Sequence, residues 1–248
     1  MKGIISWNGQ RSDQFGITIE NFPSYTKPER KRDIFSVPGR NGDIILMHDA
    51  WDNVLQKYEI FAGNGKRGAV SGGFSRVADW LYGPSGYCEL WDDFDPDHYR
   101  EAYFAGPFDV VPSLVGRTGR ATISFNCKPQ RFLMIGKEPV EFTETGVIHN
   151  PTSYSAKPLI NIKGGPLVTN LTTLQVWNRT ITLTAFPSSG ELVIDCENME
   201  CYDGDGNRAN NYVSITSNEF PTLKPGDNNV RIRGDITEVT ITPRWFEI

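Results

Sequence analysis

Long apolar runs are missing from this sequence: no stretch approaches the ~20 consecutive apolar residues that a membrane-spanning helix needs, so no membrane insertion is expected. Residues 1–7 lack the extended apolar segment and small-residue cleavage site of a secretory leader, and a soluble product made in the cytoplasm is expected. Cysteine is scarce too. Cys88, Cys127, Cys196 and Cys201 fit neither a CxxC pair nor a zinc site and read as packing residues kept as thiols in a reducing compartment. Cys196 and Cys201 would bridge only if their backbones met suitably. The three histidines, His48, His98 and His149, have no GxSxG or HExxH pattern and no cysteine nucleophile beside them, so each reads as a turn or surface residue. A basic excess is also lacking. Residues 1–132 carry 16 basic and 16 acidic side chains, whereas residues 133–248 carry 9 and 14, so the whole net charge of −5 lies in the second half. No basic stripe with interleaved aromatics grips a phosphate backbone, and specific nucleic-acid binding is not expected. A neutral or acidic surface would let DNA slide past.

Turn residues and short alternating segments are what the chain has in quantity. With 24 Gly and 16 Pro against 38% hydrophobic and 22% charged residues, disorder is excluded and an all-β class with one short helix is expected. At 248 residues the chain can bury roughly 70–75% of its unfolded surface, enough core to need no metal or disulfide. Strand signals occupy residues 3–7, 17–19, 44–47, 87–91, 99–104 and 120–127. A helix is expected from Ser71 as N-cap, with Phe74, Val77, Ala78 and Leu81 on one face and Gly83-Pro84 as the stop. Residues 136–151 carry few strand signals and mark a change of domain, placed after residue 132. Seven further strand segments follow at 159–162, 174–177, 181–183, 191–195, 213–215, 229–233 and 239–242, the number a β-sandwich needs. The last strand either stays in that sandwich or returns to the first domain.

Four features invite a site and each has a plainer reading. Pro38-Gly39-Arg40-Asn41-Gly42-Asp43 could cradle phosphate, but strand-like residues follow it where a P-loop needs a helix, so it reads as a hairpin turn. The acidic connector from Asp92 to Asp97 could hold a cation or a shared proton; its carboxylates sit around Pro96 in a turn, and a solvated tip is the reading. Asp203-Gly204-Asp205-Gly206-Asn207 begins like a calcium loop, yet Arg208 stands at the glycine position and Ser214 where the bidentate glutamate belongs. His149-Asn150-Pro151 matches part of a galectin sugar motif without its arginine, and Trp177 lacks the downstream Glu and Arg partners. No catalytic, metal or cofactor residues are expected. A hydrolase is disfavoured because the acid pair or metal ligands it requires are missing.

The order of four blocks resembles the distal tail protein (Dit) family of siphophages, the long-tailed non-contractile bacteriophages. The first block is Phe35-Ser36-Val37-Pro38-Gly39-Arg40-Asn41-Gly42-Asp43-Ile44, similar to the family's Pro-Gly-Arg-x-Gly-Asp turn. Next come the single helix, an aromatic hairpin and Ser124-Phe125-Asn126-Cys127-Lys128-Pro129. Asn150-Pro151-Thr152 with Lys157-Pro158-Leu159-Ile160 is similar to the family's passage into its second domain. Phe220-Pro221-Thr222-Leu223-Lys224-Pro225-Gly226-Asp227-Asn228, continuing to Trp245-Phe246-Glu247, completes the series.

The resemblance implies a ring-forming β domain over residues 1–132 and a galectin-like β-sandwich over 133–248. It implies a non-enzymatic virion structural protein at the distal end of the phage tail, a homo-hexamer around a channel for DNA. The implied partners are the major tail tube protein, the tail-associated hub protein, the tape-measure protein, and receptor-binding or accessory adhesion proteins. An exposed arm over residues 26–37 and the following turn are expected to make the ring contact, with Lys27, Arg30, Arg32, Arg40 and Asn41 as interface residues. The alternative function is a carbohydrate-binding module for host attachment, with Trp177 and Tyr212 stacking on a sugar face.

Overall fold

Alternating burial, the mark of a strand with one face in a core, runs through most of the chain. The computed structural model describes residues 3–63, 69–113, 118–165, 171–216 and 219–248, the side chains of 63 and 69–72 excepted. It divides into two units, Met1–Arg131 with Ile248, and Phe132–Glu247. The first contains β1 (Ile5–Trp7), β2 (Gln10–Arg11), β3 (Ile17–Ile19), β4 (Arg30–Phe35), β5 (Ile44–Trp51), β6 (Val54–Gly63), α1 (Ala69–Tyr82), β7 (Cys88–Asp92), β8 (His98–Phe104), β9 (Val110–Pro112) and β10 (Thr118–Cys127). A short strand, β11 (Arg131–Leu133), follows.

The main sheet of this unit has the order β2-β1-β7-β8-β10-β6-β3, with β9 also on β10. β1 and β2 are joined through Asn8 and Gly9, both at positive φ (50° and 75°), as a tight hairpin requires. β10 and β6 pair over ten residues, Thr118 with Gly63 through Cys127 with Val54. Trp7, Tyr58 and Phe104 surround Phe125, with ring centroids 4.9, 6.1 and 5.7 Å from it. α1 closes this core with Phe74, Val77, Trp80 and Leu81, and the Trp80 indole N–H donates to Trp7 O at 3.3 Å. The buried stripe therefore uses Trp80 in preference to the half-buried Ala78, because the larger ring reaches the sheet and stacks on Phe15 at 4.8 Å. Ser71 lies inside the helix and does not cap it; packing of the apolar stripe, more than a cap, decides where the helix runs. The Ser71 side chain lies outside the described residues.

The second unit contains β12 (Val140–Phe142), β13 (Gly146–Asn150), β14 (Leu159–Gly164), β15 (Thr172–Val176), β16 (Arg179–Leu183), β17 (Glu191–Asp195), β18 (Glu200–Asp203), β19 (Val213–Ile215), β20 (Gly226–Arg233), β21 (Ile236–Thr242) and β22 (Phe246–Glu247). Two five-stranded antiparallel sheets, β12-β21-β14-β17-β18 and β13-β20-β15-β16-β19, enclose one core. Ile160, Ile162, Leu174, Val176, Ile194, Val230 and Ile241 are fully enclosed. Residues 136–151, expected to be poor in strands, supply β12 and β13, both edge strands whose pairing comes from their neighbours β21 and β20. All-β with a single helix is the fold.

Two turn blocks singled out in the sequence are buried polar locks. Asn150 is 1% exposed; its amide donates to Tyr154 O and Leu223 O at 2.8 and 2.9 Å, while its carbonyl accepts the Thr152 N–H at 2.9 Å. Asn228, fully buried, donates to Lys224 O at 2.8 Å and Gly226 O at 2.9 Å and accepts the Lys224 N–H. Leaving any of these groups unpaired would cost on the order of 1–3 kcal/mol.

Arg244 pairs with Asp195 at 2.8 Å. Burial works to raise the Asp195 pKa, but the guanidinium together with the N–H groups of Asn198 and Glu197 outweighs it and holds the carboxyl below its ordinary value. A carboxyl depressed in the folded state adds stability above its unfolded pKa of ~4, and that stability is lost as pH falls through the folded value. Urea unfolding followed from pH 6 downward is expected to show the second unit weakening in acid. Asp195→Asn should lower stability at neutral pH and flatten that acid dependence.

Candidate functional site

A hairpin that packs on nothing is the outstanding feature of the first unit. β4 and β5 pair with each other in register Phe35–Ile44, Ile34–Ile45, Asp33–Leu46 and Arg32–Met47 and form a separate two-stranded sheet. All residues from 31 to 50 are exposed. Two-stranded sheets are marginal in water by themselves, so its composition matters. Ile34, Phe35, Ile45 and Leu46 are each more than half exposed, and Val37, Ile44 and Met47 are also exposed. Alternation along the paired strands puts Phe35, Ile44 and Leu46 on one face and Ile34, Ile45 and Met47 on the other. Both faces of this arm are apolar.

Its tip follows from sequence chemistry. Val37 O accepts the Arg40 N–H at 3.1 Å across Pro38-Gly39, and Gly39 has φ +82°, the arrangement of a type II turn. Gly42 takes the second positive φ, +83°, while Asn41 does not. Helix-starting phosphate geometry is absent from this loop, because β5 follows it.

The five residues expected at an interface are placed as follows. Arg40 and Asn41 stand exposed at the tip. Arg30 pairs with Asp49 at 2.8 Å and donates to His48 O at 3.0 Å, and Arg32 pairs with Glu29. On the same arm, His48 faces Asp33 at 2.9 Å. The Arg30–Asp49 pair and the His48–Asp33 contact link the two strands, whereas Arg32–Glu29 lies along β4 and its approach, and the apolar residues are left as the available contact surface. Lys27, at the root, donates to Ile248 O at 2.9 Å. Ile34, Phe35 and Val37 fall within the arm expected to make the contact, whereas Ile44, Ile45, Leu46 and Met47 lie beyond the turn expected to end it.

The root is riveted to the core. Asp92, 6% exposed, accepts the hydroxyls of Tyr25 at 2.6 Å and Tyr58 at 2.8 Å, and the N–H groups of Phe94 and Asp95 at 3.1 Å each. Buried Gln56 donates to Ser24 O at 3.1 Å. Burial, then the hydrogen bond to and charge of Asp92, push Tyr25 far above the ordinary tyrosine range, and the same influences raise Tyr58. The first carboxylate of the acidic connector is thus a structural acceptor beneath the arm, and Asp95 pairs with His98 at 2.7 Å and Arg131 at 3.4 Å.

Other sequence candidates are absorbed in similar ways. Asp203 accepts the Asp205 and Asn207 N–H groups at 3.0 and 2.8 Å, closing a hairpin tip. Burial pushes the Cys127 thiol up to about 12 and Cys201 to about 11, and raises Cys196 as well, so these remain thiols packed in the cores. Tyr212 packs on the second core. Trp177 sits at φ +50° with the Lys224 ammonium 4.0 Å above its ring.

Asp92→Ala is expected to cost on the order of 1–3 kcal/mol for each buried donor it leaves unpaired. Ile45→Ser, on the unsupported arm, should shift the stability of the separated chain, at a concentration where it is monomeric, by less than about 0.5 kcal/mol. Urea unfolding of the two variants checks the contrast.

Comparison with known proteins adds the following. Residues 153–245 match the family of the siphovirus-type tail component, C-terminal domain. The fold is that of the Dit protein of phage SPP1, at 12% identity over 96% of this chain and 98% of that one, with TM-score 0.74; that protein is described as a paradigm of the hub adsorption apparatus in phages infecting Gram-positive hosts. A chain of the phage P2 baseplate, in its activated conformation with Ca, is similar at 9% identity over 97% of each chain and TM-score 0.56, and the same baseplate with Sr gives 0.55. No curated protein matches.

Proposed function

We propose that this chain, a phage tail component with the fold of the distal tail (Dit) proteins, closes into a hexameric ring at the distal end of a siphophage tail. The ring joins the tail tube to the hub and adhesion proteins and leaves a channel through which DNA passes. Its neighbours are the major tail tube protein, the tail-associated hub protein and the tape-measure protein, with receptor-binding or accessory adhesion proteins docked outside. It is made and assembled in the host cytoplasm and works in the virion. Its purpose is geometric, without bond-making chemistry.

One observation carries the reading: the arm of residues 31–50 exposes six large apolar side chains on its two faces and Val37 near its tip, and none of its residues is buried. An exposed apolar surface of this kind marks a contact with another molecule. In a ring each subunit presents two different surfaces, one given and one received, and closure of the rotation ends the series. The arm serves as the given surface, with Arg40 and Asn41 at its tip and Lys27, Arg30 and Arg32 fixing its root and shape. The first unit, residues 1–132 in this reading, forms the ring, and residues 133–248 form the galectin-like sandwich. The SPP1 Dit protein, a paradigm of the hub adsorption apparatus, shares the fold and supports this reading.

Negative-stain electron microscopy and light scattering of the purified chain should give a ring with a central hole and the mass of six copies. Removing residues 33–46 and rejoining the ends by a short Gly linker should give a folded monomer. A monomer at high concentration for the intact chain, with or without its tube and hub partners, would remove the proposal.

A further inference from the structure

A given surface needs a received one on the same chain. The outward face of the main sheet carries a row running across four strands: Leu55 of β6 lies opposite Asn126 of β10, Asn126 lies opposite Tyr103 of β8, and Tyr103 meets Tyr87, just before β7, at 5.5 Å between ring centroids. The three apolar members are exposed by 44%, 39% and 44% for Leu55, Tyr103 and Tyr87, whereas their neighbours along the strands, Val54, Gln56, Ala102 and Cys127, are buried. This is an apolar patch on the solvent side of a sheet whose other side already has its core. Asn53 organises it, donating to Tyr87 Oη at 2.7 Å and Asn126 Oδ1 at 2.6 Å. Lys128 stands 5.1 Å from the Tyr87 ring and Lys57 is exposed on the same face of β6.

We infer that this row is the acceptor on which the arm of a second copy of the chain lies, an inference that rests on the ring reading above. Two features select that occupant. Three of the four members of the row are apolar or aromatic and exposed, and each face of the arm, Phe35/Ile44/Leu46 or Ile34/Ile45/Met47, presents an apolar trio. The row also begins at Asn53 and Leu55, immediately after β5 ends at Trp51, so the received arm would land beside the root of the departing one. Each copy then hands on the contact it receives. A head-to-tail series of this kind closes only as a ring.

The arrangement makes donor and acceptor separable. Ile45→Asp with Leu46→Asp places a charge on each face of the arm, and Leu55→Glu with Tyr103→Glu charges the acceptor. All four positions are exposed, and circular dichroism with thermal melting checks that both variants fold. Each alone should be monomeric. Mixed in equal amounts they retain one intact contact, the normal arm of the acceptor variant on the normal row of the arm variant. Sedimentation should then show a complex of two chains and nothing larger. Tyr103→Phe should keep the full ring. A ring that survives Leu55→Glu/Tyr103→Glu, or a mixture that yields no two-chain complex, overturns the inference and leaves the ring reading standing. An intact chain that stays monomeric removes both.

Discussion

An apolar strand pair cannot remain bare in water. Each aliphatic or aromatic side chain that moves from solvent into a contact contributes roughly 1.5–3 kcal/mol, and the arm holds seven of them with no partner in its own chain. The rest of the first unit is arranged around this constraint. Its main sheet and helix make a core without the arm, so the arm is free to serve a neighbour at no cost to the fold that carries it. The same separation explains why the charged residues of the arm pair among themselves. Arg30 with Asp49 and His48 with Asp33 link the two strands where no core does so, while Arg32 pairs with Glu29 on its own side of the hairpin.

The sequence pointed to this environment more clearly than to the geometry. A continuous apolar run such as Ile44-Ile45-Leu46-Met47 reads as a strand covered on both faces. In a single chain β5 is covered on neither. The reading and the fold agree once the covering surfaces belong to other molecules. Of the five residues expected at an interface, Arg30 and Arg32 already pair within the arm, and surface ion pairs are worth ~0–1 kcal/mol. The apolar residues beside them carry the available energy.

Elsewhere legibility depended on whether the alternation was clean. β3, β10, β14, β15 and β16 turn apolar residues inward and mostly polar ones outward and are readable. β6, ten residues long and central, is not, because it breaks the rule twice: Gln56 points inward, 1% exposed, and Leu55 points outward. Both exceptions have a reason. Gln56 holds the Ser24 carbonyl at the arm root, and Leu55 belongs to the outward apolar row. Deviations from pattern are expected where a position serves something beyond its own core. β12 and β13 were missed for a plainer reason: at three and five residues, on sheet edges, their pairing comes from β21 and β20 and little from propensity. The buried Asn150 and Asn228 were visible only as turn residues, since nothing in a sequence tells a solvated Asx turn from an enclosed one.

In the proposed ring the arm would have to meet a neighbour at one fixed angle and so be stiff where it leaves the body. Any swing at the root multiplies along the arm, and ordering it upon contact would subtract from the affinity of each junction. Asp92 addresses this directly. Its two oxygens bind Tyr25, two residues before Lys27, to Tyr58 in the core, and its remaining acceptor capacity fixes the backbone at Phe94 and Asp95. Gln56 secures Ser24 one residue earlier. A buried carboxylate with four donors is costly to assemble and useful only if every partner is present, so a loose root would surrender both stability and direction. Such a knot at the root of an otherwise unsupported hairpin fixes the backbone from which it leaves, and in the proposed ring that fixed departure would let a small, set number of copies close.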